Sequence, residues 1–95
     1  MNQRDAFIER LKDSLAEWNA EIEALAARAR QAGEQTRERH QEDIDRLKAR
    51  RDEARRRLDE LQASSEEAWD DMRLGADEAW EHLRDAWKKA SSRFK

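Results

Sequence analysis

The chain has 95 residues, 45% charged against 37% hydrophobic, with a formal net charge of −3. That balance excludes a large compact core, and no stretch approaches the ~20 apolar residues of a membrane span. With no cysteine there is no disulfide, thiolate ligand or thiol nucleophile, and with no proline and two glycines among abundant helix formers, the composition favours long helices over disorder.

The first predicted element begins at residue 3. Ile8, Leu11, Leu15, Trp18, Ile22, Leu25, Ala29 and Ala32 step by threes and fours, the apolar seam of a coiled coil. Glu9, Arg10, Lys12, Asp13, Glu17, Glu21 and Glu23 flank it as a solvated face. From Ala29 to Ile44 the seam slips by one position, a spacing of about 3.75 residues per turn that locally unwinds a left-handed supercoil. Gly33, Thr36 and His40 fall there. The spacing predicts that the helix continues through the slip, over about 3–62.

Its second half carries a thinner seam of Ile44, Leu47, Arg51, Ala54, Leu58 and Leu61. Arg46–Arg57 holds seven basic residues against Asp52 and Glu53. Arg51 falls on the seam itself, where its guanidinium must reach outward to the surface.

Ser64-Ser65-Glu66-Glu67 matches the S-x-x-E capping box and predicts a second helix over about 65–94. Acidic residues crowd its start and Lys88, Lys89, Arg93 and Lys95 its end, as the macrodipole favours. Trp69, Met72, Ala76, Trp80, Leu83, Trp87, Ala90 and Phe94 share one face.

Leu11 to Ile22, with its Leu15-Ala16-Glu17-Trp18-Asn19-Ala20-Glu21-Ile22 core, and the closing block of Ala68-Trp69, Met72, Gly75 and Ala79-Trp80 resemble a group of short bacterial coiled-coil proteins. The resemblance implies a bacterial origin and brings no activity with it.

The expected fold is all-α: an elongated coiled coil in one domain over 1–95. The long helix is followed by a shorter one folded back as an antiparallel hairpin, with arms 33–62 and 65–94. Alternatives are one continuous helix or a three-helix bundle broken at Gly33. A turn at 63–64 sets Trp69 against Leu58, Trp80 against Leu47, Leu83 against Ile44, Trp87 against His40 and Phe94 against Gly33. The expected hairpin packing is therefore Ile44, Leu47, Leu58, Leu61, Trp69, Met72, Trp80, Leu83, Trp87 and Phe94. The same turn puts Arg46–Arg57 opposite Asp70, Asp71, Asp77, Glu78 and Glu81.

Such a hairpin leaves 3–32 without a partner. Each large side chain left uncovered loses about 1.5–3 kcal/mol. Ile8, Leu11, Leu15, Trp18, Ile22 and Leu25 are thus the expected oligomer interface, and 3–32 the oligomerisation segment.

Chemistry is sparse. His40 and His82 stand alone, without H-E-x-x-H or E-x-x-H spacing, so no metal site is expected. The two glycines form no phosphate-cradling loop, and a coiled-coil surface offers no water-excluding pocket for a carboxylate pair. No cofactor and no catalytic residue are expected.

The functional expectation is a non-enzymatic, self-associating scaffold or adaptor. Its partner is itself, as a homo-oligomer, or another helical protein. The alternative is a peripheral membrane-surface protein acting through Trp-rich 66–94, with nucleic acid disfavoured by the acidic balance. The start MNQRDAFIERLKDSL lacks a signal-peptide core, which sets a cytoplasmic expectation.

Overall fold

The computed structural model describes residues 2–93, the Thr36 side chain excepted. It is an all-helical bundle of three helices, α1 (Gln3–Gln31), α2 (Glu34–Ala63) and α3 (Trp69–Arg93). The Phe94 predicted to pack in the hairpin lies outside the described residues.

Asn2 caps α1, its side-chain oxygen accepting the Asp5 N–H at 2.8 Å. At the other end the Ala32 N–H reaches back to the Arg28 and Ala29 carbonyls, and Arg28 and Arg30 complement the helix dipole.

The expected long helix over 3–62 is broken. Ala32 and Gly33 are extended, and the molecule measures 50 × 20 × 18 Å, where a straight 60-residue helix would span about 90 Å. Gly33 has φ −59, open to any residue, so the break does not depend on a glycine-only conformation. Energy decides it. Interrupting the helix loses a few hydrogen bonds at about 1 kcal/mol each, while folding α1 back covers six large seam side chains at about 1.5–3 kcal/mol each. The one-position slip between Ala29 and Ile44 marks where the two seams part.

Contacts fix the helix directions. Glu23 meets Arg51, and Arg4 reaches the Gln62 and Ser64 carbonyls, so α1 and α2 run in opposite senses. Arg57 lies beside Gly75 and Asp43 beside Arg93, opposite senses again for α2 and α3. Phe7 with Trp69, Ser14 with Trp80 and Trp18 with Trp87 rise together, so α1 and α3 are parallel.

The second connection is longer than the capping box implies. Ser64 Oγ donates to the Leu61 carbonyl at 2.7 Å, closing α2. Ser65 Oγ accepts the Ala68 N–H at 3.3 Å, and α3 begins only at Trp69. The extra turn over 66–68 displaces the register from the one expected of a bend at 63–64.

One apolar cluster runs through all three helices and includes Ile22, Leu47, Leu61 and Leu83, all fully buried. A smaller one joins Ala26, Ala29 and Ile44 near the first connection. Among the described residues, no helix is long and apolar enough to cross a membrane.

Candidate interaction surfaces

The six residues expected at an oligomer interface line the inside of the bundle. Ile8, Leu11, Leu15, Ile22 and Leu25 are buried in the cluster that holds Leu47, Leu58, Leu61 and Leu83, and half-buried Trp18 packs against it. The hairpin expectation set them between copies because it gave α1 no helix of its own chain to fold against, whereas the three-helix alternative broken at Gly33 does. The break at Ala32–Gly33 supplies two.

Of the expected hairpin-packing residues, Ile44, Leu47, Leu58, Leu61, Trp80 and Leu83 are buried, while Trp69, Met72 and Trp87 are half-buried. Their ring contacts go to α1 rather than α2. Trp69 meets Phe7 edge-on at 6.0 Å between centroids, and Trp87 meets Trp18 at 5.7 Å. Trp80 donates its indole N–H to Ser14 Oγ at 2.9 Å. The α1–α3 seam is therefore built from bulky side chains. Of the tryptophans on the face read as a lipid candidate, Trp80 is buried and Trp69 and Trp87 keep part of their surface exposed.

The proposed pairing of Arg46–Arg57 with the acids of α3 is not found among the described residues. Arg46 pairs with Asp43, Arg56 with Glu53, and Arg57 with Glu53 and Glu60, all within α2. Neighbours three and four apart on one helix meet before a facing helix can. Arg51 does reach outward from its seam position, to Asp52 and to Glu23 of α1. The hydrogen bond from Arg56 holds the Glu53 carboxyl below its usual range, and the charges of Arg56 and Arg57 add to this while partial burial opposes it. Glu53 raises Arg56 in return.

Two polar clusters escaped the sequence reading. Near the α3 C-terminus, Asp43 is almost wholly buried and accepts from Arg93 Nη1 with both carboxylate oxygens at 3.2 Å. Buried His40 places Nδ1 4.0 Å from Asp43, while His82 is exposed as a solvated residue. Among the described residues no group of three His, Cys, Asp or Glu is placed to hold a metal.

The second cluster lies at the opposite end, where α1 and α3 begin. A concavity of about 300 Å³ is lined by Gln3, Ala6, the Phe7 and Trp69 rings, and Arg4, Arg10 and Arg73. Arg10 and Arg73 place Cζ 5.6 Å and 4.8 Å from the Phe7 centroid, and Arg4 lies 4.9 Å from that of Trp69. Nη2 of Arg4 donates to the Ser64 carbonyl at 2.6 Å, anchoring it across the end of α2. A signal for this cluster exists in the sequence: Arg4, Phe7 and Arg10 at i, i+3 spacing, with Trp69 and Arg73 four apart. The heptad search passes over it because Phe7 lies beside the seam.

Family profiles, characterised proteins and solved structures were compared with this chain, and none matches.

Proposed function

We propose that this protein is a non-enzymatic scaffold or adaptor that associates with itself by exchanging α1. In the closed chain α1 packs on its own α2 and α3, which form an antiparallel hairpin. In the exchanged form α1 and α2 join into one helix, and α1 occupies the same groove on a second copy. Every contact of the closed seam is then remade between chains, so the two forms differ chiefly at the connection.

The observation that carries this reading is that connection. Two extended residues, Ala32 and Gly33, are all that turns a 29-residue helix back on a 30-residue one, and nothing lies within 4 Å of a side chain placed at Gly33. A link this short favours exchange over closure more than a long one does. Gly33 also takes helical angles without a clash, at about 1 kcal/mol of propensity cost relative to alanine.

Altering the link tests the proposal. Deleting Ala32 and Gly33 is expected to give a fully helical dimer by sedimentation at micromolar concentration. Inserting about six Gly and Ser residues there is expected to give a monomer at every concentration. A deletion variant that stays monomeric with unchanged thermal stability would sink the exchange.

A further inference from the structure

Three guanidinium groups converge on two aromatic rings at the end of the bundle, in a chain whose net charge is negative. Arg10 and Arg73 share the Phe7 ring, so their Cζ atoms are at most about 10 Å apart. No acidic residue lines the concavity, although the chain has 23 of them. Among the described residues Arg10 and Arg73 make no ion pair, whereas Arg46, Arg51, Arg56, Arg57 and Arg93 all do.

The backbone adds to the same potential. Because α1 and α3 run parallel, both N-termini lie at this end, bringing the positive poles of two helix dipoles together. Asp5, Asp70 and Asp71 sit in those first turns without entering the concavity. Like charges around one concavity repel, and the ring faces offset only part of that. An oxyanion between the guanidiniums removes it.

We infer that this cleft, made by Arg4, Arg10 and Arg73 around Phe7 and Trp69, binds a phosphate monoester. The forks of Arg10 and Arg73, with the N–H groups that Arg4 keeps beyond its bonds to the Gln62 and Ser64 carbonyls, match a group with three acceptor oxygens and a charge of about −1.5 to −2 better than a carboxylate with two oxygens and a charge of −1. Arg4 is already positioned by its bond to Ser64, which lowers the ordering cost of capture. The inference is independent of α1 exchange, since α1 brings the same N-terminal turn to whichever hairpin it covers.

Calorimetric titration with phenyl phosphate in low-salt buffer is the direct test, with benzoate as the carboxylate comparison. Phosphatidic acid in phosphatidylcholine vesicles presents the same group on a lipid. The expected result is saturable binding of phenyl phosphate, at least about tenfold tighter than benzoate. Arg10→Gln and Arg73→Gln should each weaken it about tenfold, Arg10→Lys less, and the exposed control Arg84→Gln not at all. Circular dichroism confirms that each variant is folded before titration. Flotation with the phosphatidic acid vesicles that is lost in Arg10→Gln assigns a lipid-borne ester; phenyl phosphate binding without flotation assigns a soluble one. Absence of binding in both arms overturns the inference. So does benzoate binding as tightly as phenyl phosphate, or Arg84→Gln weakening the interaction as much as Arg10→Gln.

Discussion

Replacing Ile22 by Asp is expected to undock α1 and remove most of the stability of the monomer itself. Ile22 is fully buried at the middle of α1, within the cluster shared by all three helices. The substitution loses about 1.5–3 kcal/mol of apolar burial and forces a carboxylate either into that cluster or out of it with the helix. A combined loss of about 4 kcal/mol or more compares with about 5–14 kcal/mol of total stability for a chain of this length. Urea unfolding followed by circular dichroism, at a concentration where sedimentation reports monomer, measures it. If Ile22 lay only on an interface between copies, the same substitution would lower the mass and leave the monomer's unfolding midpoint in place.

Trp80→Ala is expected to cost about 3–5 kcal/mol, the range for emptying a buried aromatic site. Trp80 is 6% exposed and ties α3 to α1 through Ser14 Oγ. Trp80→Phe keeps much of the volume but loses the N–H donor and part of the ring, so a smaller loss of about 1–2 kcal/mol is expected. Ser14→Ala on its own and combined with Trp80→Phe completes a double-mutant cycle for the hydrogen bond. Equal losses for the Ala and Phe variants would mean that packing at this seam contributes nothing. Full additivity in the cycle would mean that the indole does not meet Ser14.

The helical class and most of the core were legible because both rest on short-range periodicity. Ile8, Leu11, Leu15, Ile22 and Leu25 recur at helical spacing whatever they pack against, and so do Leu47, Leu58 and Leu61. What they pack against is a long-range choice. A seam can be covered by a second copy or by the same chain turned back, and the apolar pattern is the same in both cases. The deciding feature was weak: Gly33 at a one-residue slip, in a segment with neither proline nor a capping side chain.

Phe7, Ser14 and Trp18 carried more information than a narrow seam could use. Phe7 and Ser14 lie beside the seam of Ile8, Leu11 and Leu15 and line up with its Trp18, so the apolar stripe is wide enough to need two neighbours. The arginine cleft was hidden for another reason. Its members come from the two ends of the sequence, Arg4 to Arg10 and Trp69 to Arg73, and meet only because α1 and α3 are parallel. Charge pairing failed for the opposite reason, since Glu53 and Glu60 lie on α2 within reach of Arg57 before any acid of α3 does.

The central claim is that the chain turns back at Ala32–Gly33, and the most direct measurement is the distance between α1 and α2 within one molecule. Glu23 and Asp52 are both exposed, and Arg51 bridges them, pairing with Glu23 at 3.9 Å and with Asp52 at 3.1 Å. Spin labels at residues 23 and 52, in protein diluted with excess unlabelled chain at low concentration, report that distance by pulsed electron resonance. Packed helices lie about 8–10 Å apart, so with label arms the expected separation is under about 25 Å. An uninterrupted helix from 23 to 52 would separate the same sites by about 44 Å. A single distribution near that longer distance, in protein that sediments as a monomer, would contradict the three-helix bundle.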